Sequence, residues 1–295
     1  MIQEIKFYYN VMKYGKNKGQ TNTFKKRLKY ILRNLAIYKY SKKLATFILN
    51  HPFLENEVYR YPSLCSKLHR PYLTNELSYD KKLNAIISSY ETLDLTFPKE
   101  ILTNLYSEGE IELCSLEGKN GDVFKITFSL YPNFEKEGEF TLICYNSGNK
   151  TLAKLTFAFL EKNIIIGGLQ GLEKGEDKEL IKNATKELFG IFPKKLLLET
   201  LYILFPNYSK IGVGKNKHIY FSPRYIKRKQ EKVHANYDKF WESIGGIEKD
   251  NLWSLPKKLE RKSIEDIPAK KRAQYIKKFN LLDTLSEKII LLYNI

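Results

Sequence analysis

The sequence predicts an α+β protein: an antiparallel meander sheet with flanking helices, preceded by a helical N-terminal region. Three observations predict it. Apolar residues recur at helical spacing as far as about residue 106. From Glu110 to Gln170, β-branched and alternating runs are separated by Gly/Asn turns. Helical spacing then returns, interrupted by one further strand. We read residues 1–106 as a basic helical region and residues 107–295 as an α+β domain, packed as one compact unit. The 295 residues suffice to bury a large core, and 43% hydrophobic with 14% aromatic content excludes a disordered chain.

Residues 22–50 read as helix. Phe24, Leu28, Ile31, Leu32 and Leu35 share one stripe, while Lys25, Lys26, Arg27, Lys29 and Arg33 fall largely elsewhere. The stripe is expected to pack on the protein's own core beneath a solvated basic face; docking on a membrane is the alternative. His51-Pro52 ends the helix, and Ser78 is placed to cap the next, which carries Leu83, Ile86, Ile87, Tyr90 and Leu93 on one side. A short helix is expected over 99–106. Strands follow over 110–116, 123–131, 139–145 and 151–160, the last expected to be half-buried because Leu155, Phe157 and Phe159 alternate with Lys154, Thr156 and Ala158. Asn163–Gly171, NIIIGGLQG, completes a meander of about five strands. Helices over 177–189 and after Pro193, a strand over KIGVGKNKHIYF with Gly212 and Gly214 on one face, the helix end YDKFWESIGG and a final helix over 269–293 complete the chain.

The formal charge is +17 and is unevenly distributed. Residues 1–70 hold 15 Lys+Arg against 3 Asp+Glu, and residues 210–295 net +10. Basic ends favour an anionic partner: a lipid or lipopolysaccharide headgroup, a phosphorylated small molecule, or nucleic acid. Cys65, Cys114 and Cys144 are scattered and form no C-x-x-C pair, which argues against a disulfide framework or a zinc knuckle and suits a reducing compartment. The N-terminus shows no apolar h-region and no run reaches the roughly 18 apolar residues of a membrane span, so a cytoplasmic protein, peripheral at most to the inner membrane, is expected.

Several segments together resemble the VirK/YbjX family of Gram-negative bacteria: LHRPYL (68–73), EGEFTL (137–142), LTFAF (155–159), GGLQG (167–171), KELFGIFPKKLLL (186–198), KNKHIY (215–220), YDKFW (237–241) and KKRAQY (270–275). The resemblance implies an envelope-associated protein linked to virulence, to resistance against cationic antimicrobial peptides and to suppression of lipid A defects. A weaker likeness in layout, a meander followed by a glycine-bearing strand end and a helix, is to the GNAT acyltransferases. That likeness implies an acyl-coenzyme A or acyl carrier protein donor, with backbone N–H groups at the strand-to-helix junction holding a pyrophosphate. The sequence departs from that phosphate loop, reading Q-G-L-E-K-G over 170–175, and Glu173, Glu176 and Asp177 place negative charge where the pyrophosphate would sit.

The candidate ligand groove is therefore Gly167, Gly168, Gln170 and Gly171, since glycine allows close backbone approach. Glu137 and Glu139, two apart at a strand start and so on one face, are candidate general bases; a solvated turn beside Glu135 and Lys136 is the plainer reading. His69 and His218 are the histidines placed to act on a ligand, and Arg70, Asn216 and Arg224 to bind an anionic one; a hydrogen-bonded structural histidine is the plainer fate. Arg224, Lys227, Arg228 and Lys229 interleave with Tyr220, Phe221 and Tyr225. No histidine, including His51 and His234, has metal-ligand spacing, so no metal is expected. Asp238 is a lesser candidate. The leading functional expectation is an acyltransferase-like protein acting on envelope lipid; a non-catalytic membrane-binding protein is the alternative, and nucleic-acid binding lacks any motif.

Overall fold

A computed structural model describes residues 2–15, 23–130, 134–172, 178–226 and 237–293. Six helices come first: α1 (Ile2–Tyr14), α2 (Phe24–Ala36), α3 (Tyr38–Asn50), α4 (Leu54–Arg60), α5 (Tyr79–Thr96) and α6 (Lys99–Glu108). Five strands follow: β1 (Glu110–Glu117), β2 (Val123–Ser129), β3 (Phe140–Tyr145), β4 (Thr151–Leu160) and β5 (Asn163–Gln170). The remainder is α7 (Lys178–Glu187), α8 (Pro193–Leu204), β6 (Ser209–Val213), α9 (Tyr237–Ser243), β7 (Ile247–Lys249), β8 (Leu252–Ser254) and α10 (Ala269–Tyr293).

The meander extends to eight strands in the order β1-β2-β3-β4-β5-β6-β8-β7. All neighbours are antiparallel except β5 and β6, which run parallel because the α7–α8 crossover carries the chain back to the same end of the sheet. The five-strand expectation misses the β7–β8 hairpin, whose three-residue strands are too short to show a period. β4 is not half-buried. Leu155–Phe159 are all buried, and α5 and α8 both pack against this strand, so a central position overrides the alternation. Thr156 is accommodated there by a 3.0 Å hydroxyl contact with Thr141. Edge-to-face contacts among Phe128, Phe140, Phe157, Phe159 and Phe205 tie sheet to helices, and one core cluster runs from Phe7 to Ile289.

Helix α5 begins as its cap predicts: the Ser78 hydroxyl accepts from the Lys81 amide at 3.3 Å. The 22–50 segment departs twice from expectation. It breaks at Ile37, which leaves helical geometry at φ −120°, ψ 35° and separates α2 from α3. Four of the five residues of its apolar stripe also face outward, Phe24 68% exposed, Leu28 48%, Leu32 56% and Leu35 38%, while Ile31 packs against the core and Tyr30 and Asn34 occupy the buried side. Asn34 turns inward because Ser41 of α3 donates to its Oδ1 at 3.1 Å and its own amide reaches the Tyr30 carbonyl at 2.9 Å.

Candidate functional site

Gly167 interrupts the β4–β5 ladder. Thr156 pairs with Gly168 and Phe157 with Ile166, so Gly167 is the extra residue of a β-bulge. The segment before β3 crosses over β4 here. A Cβ on Gly138 would strike the Phe157 backbone, one on Gly167 the Glu137 carbonyl oxygen, and one on Gly168 the Glu137 carboxylate. The glycines of GGLQG thus receive a close backbone approach, but from the chain's own Glu137 and not from a ligand. The other side of this strand end is filled as well. Beyond the Ile166–Gly212 pair, β5 and β6 part company. The Tyr237 phenol lies at the Leu169 backbone in the gap, and the Trp241 indole sits against the Cα of Gly212 and donates to the Val213 carbonyl at 3.2 Å. The expected groove over Gly167 and Gly168 is occupied by side chains. A Cβ on Gly171 would meet only the Lys194 side chain, Cε at 3.4 Å and Nζ at 3.8 Å, so that glycine is not required by packing.

Glu137 and Glu139 are both fully buried, which overturns the solvated turn. They do not act as a carboxylate pair, because each has partners of its own. Glu139 is bound by Lys67 Nζ at 2.7 Å and accepts hydrogen bonds from the Tyr72 hydroxyl at 2.5 Å and the Tyr90 hydroxyl at 3.1 Å. Lys67 also donates to the Gly138 carbonyl at 3.2 Å. Burial first, then the Glu139 charge, hold the Tyr72 phenol protonated. Both carboxylate oxygens of Glu137 accept from Gln170 Nε2, Oε1 at 3.2 Å and Oε2 at 3.1 Å, and Oε1 lies 3.4 Å from His218 Nε2. His218 Nδ1 accepts from the Tyr220 amide at 3.4 Å, which leaves Nε2 as the protonated nitrogen facing Glu137. Among the described residues no lysine or arginine reaches Glu137. The Tyr220 and Tyr237 rings pack on His218, and burial followed by the Glu137 charge pushes both phenols up.

The structure therefore brings together Glu137, Glu139, Gly167, Gly168, Gln170 and His218, and places the other candidates elsewhere. His69, Arg70 and Arg224 lie on the side facing α2: Arg224 Nη1 donates to the His69 carbonyl at 3.1 Å, and Tyr30 packs edge-on against the His69 ring. Asn216 is exposed and bonds Asn251. Asp238 accepts from the Lys215 amide and the Trp253 indole, a structural role. His51 caps α4 through Nδ1 and meets Asp94 through Nε2 at 2.9 Å. Glu173, Lys174, Glu176, Asp177, Lys227, Arg228, Lys229 and His234 lie outside the described residues. Sequence reasoning missed Lys67, Tyr72, Tyr90 and Tyr237. Lys67 and Tyr72 flank or occupy LHRPYL and Tyr237 opens YDKFW, so the motifs held the signal, whereas Tyr90 sits on the apolar face of α5 and read as core.

Residues from four motifs of the VirK/YbjX resemblance, LHRPYL, EGEFTL, GGLQG and KNKHIY, thus meet in adjoining buried polar contacts around Glu137 and Glu139. The family described as a protein of unknown function, DUF535, matches residues 19–290. This chain belongs to the VirK/YbjX family, DUF535. Within DUF535 it is 34% identical over 275 residues to the uncharacterised protein YbjX of Escherichia coli strain K12, covering 90% of this chain and 83% of that one. An uncharacterised protein of Haemophilus influenzae is 30% identical over 275 residues, 90% of this chain and 88% of its own. The membrane protein LapB of Mannheimia haemolytica is 25% identical over 193 residues, 64% of this chain and 81% of its own. No solved structure matches significantly. Among the described residues no helix is long and apolar enough to cross a membrane, and no group of three or more His, Cys, Asp or Glu side chains gathers as a metal site would require.

Proposed function

We propose that this protein docks on an anionic membrane surface, phospholipid or lipopolysaccharide precursor, through helix α2. The observation that carries this reading is the outward apolar stripe Phe24, Leu28, Leu32 and Leu35 bordered by exposed Lys25, Lys26 and Lys29. A helix so built buries its apolar stripe at the headgroup boundary while its cations meet lipid phosphates, at about 1 kcal/mol per Lys or Arg near the surface. Lys39, Lys42 and Lys43 of α3 add to the same basic region. The similarity to a protein described as a membrane protein agrees with this setting. Peripheral docking on the inner leaflet, in service of the envelope and of resistance to cationic peptides, is the role we assign. Co-sedimentation with phosphatidylcholine vesicles, with and without a third of phosphatidylglycerol, tests it. Binding should require the anionic lipid, and Leu28→Ser with Leu32→Ser should weaken it by about tenfold or more while costing the fold only about 1–2 kcal/mol, because each side chain is about half exposed. Binding indifferent to lipid charge, or untouched by the double substitution, sinks the reading.

A catalytic reading, acyl transfer from acyl-coenzyme A or acyl carrier protein, is favoured by one observation: a Glu137–His218 contact at the point where β5 and β6 diverge. Both groups are sealed from solvent, so a donor has to displace Tyr237 or Tyr220 to reach them. Calorimetry with acyl-coenzyme A and with acylated carrier protein decides, and absence of heat from both removes this reading.

A further inference from the structure

Four cations converge beside α2 with no carboxylate among them. Arg33 comes from α2, Arg70 from the turn after α4, Lys82 from α5 and Arg224 from the turn after β6. Hydrogen bonds hold them together: Arg224 Nη1 reaches the His69 carbonyl at 3.1 Å, and Lys82 Nζ reaches the Arg70 carbonyl at 2.7 Å. The edge-on packing of Tyr30 on His69, centroids 5.5 Å apart, brings α2 against this turn. Among the described residues none of the four cations is paired with Asp or Glu. Both ring nitrogens of His69 and Nε of Arg70 are buried without a hydrogen-bond partner.

Such a cluster costs electrostatic energy unless an anion completes it. Burial first, then Arg70, Arg33 and Arg224, hold the His69 ring neutral, down to about 4. Burial, then Arg224 and Arg70, depress Arg33, and burial, then Arg224, bring Lys82 to about 8. Guanidinium forks match phosphate oxygens two at a time, which a lysine cluster does not, and here three forks come from three separate segments.

We propose that Arg33, Arg70 and Arg224, with Lys82 and His69 behind them, bind a phosphomonoester or pyrophosphate group. The site stands on its own geometry and does not depend on docking by α2, although Arg33 places it at the border of that helix. The group comes either from a lipid headgroup or from a soluble phosphorylated molecule, and the test separates these sources.

Titration calorimetry of the full chain with inorganic pyrophosphate is the first arm. Vesicle binding with phosphatidic acid against phosphatidylglycerol at equal surface charge is the second. Arg33→Gln, Arg70→Gln and Arg224→Gln should each weaken pyrophosphate binding by about tenfold, while Lys257→Gln, an exposed basic residue remote in sequence, should not change it. Arg224 is exposed and paired with no carboxylate, so its substitution should change the stability of the unliganded protein by about 1 kcal/mol or less, the lost hydrogen bond to the His69 carbonyl being offset by relief of repulsion from Arg33 and Arg70. Pyrophosphate silent but phosphatidic acid preferred, with that preference lost in Arg224→Gln, supports the site and assigns it to a lipid headgroup. Neither ligand bound, or both bound equally by the wild type and the arginine variants, overturns it. The Leu28→Ser/Leu32→Ser protein keeps the two ideas apart: if it still takes pyrophosphate, the anion site stands whatever its vesicle binding shows.

Discussion

At the scale of single residues, Gly168 shows how a sequence signal was visible while its cause was not. Two glycines at a strand end announce that something approaches the backbone; only the bulge at Gly167 shows that the visitor is Glu137. Sequence cannot supply that, because Glu137 arrives from a neighbouring segment by a turn whose geometry no local propensity fixes. Gly168→Ala should lower stability to urea by about 2–4 kcal/mol, since the methyl group collides with the Glu137 carboxylate. In a Glu137→Ala background the same substitution should cost about 1 kcal/mol or less, as the collision is gone. Equal costs in the two backgrounds contradict the assignment. His69 gives a pH dependence with a definite sign. Its folded pKa, about 4, lies below the ordinary 6.5, so the unfolded chain binds more protons between those values. Stability should therefore fall as pH drops from about 6.5 to 4, by up to about 3 kcal/mol from this residue. His69→Gln should flatten that part of a urea-midpoint profile, and an unchanged slope contradicts the burial of a neutral ring.

At the scale of elements, long periodic segments were legible and short or outward-facing ones were not. α5 and α10 begin and end close to where caps and period put them, and the hairpin β1–β2 follows its Gly-Lys-Asn-Gly turn. The stripe on α2 was equally legible as a pattern, yet its direction was not. Amphipathicity says that two faces differ; it does not say which face meets the core, and here the inward face is chosen by Tyr30 and Asn34 bonding within the α2–α3 pair. The link between LHRPYL and EGEFTL is of another kind, a buried ion pair joining the turn after α4 to the lead-in of β3. Lys67→Met should cost about 3–5 kcal/mol by leaving Glu139 uncompensated, and adding Glu139→Gln should recover part of that loss. A double variant as weak as the sum of its parts contradicts the pairing, and thermal melts of the three proteins decide it.

At the scale of the whole molecule, the charge asymmetry and the core belong together. A single cluster from Phe7 to Ile289 leaves the N-terminal helices no core of their own, so the basic region is carried on the same body as the sheet. The three cysteines are buried as free thiols, Cys114 and Cys144 pushed up to about 12 chiefly by burial, so none is poised as a nucleophile. The acidic residues that argued against a pyrophosphate at Gly171 lie outside the described residues, and the cations that favour one lie on the α2 side.

The buried glutamates also set an order of events. Glu137 meets Gln170 from 33 residues away and His218 from further still, while Lys67 reaches Gly138 across 71. Contacts so distant along the chain close late, because loop entropy is spent before they return anything. Until β5, its bulge and the turn carrying His218 are all in place, each carboxylate keeps its water. Contacts that close this late are largely absent from the transition state, so weakening the partners of either acid should speed unfolding more than it slows folding.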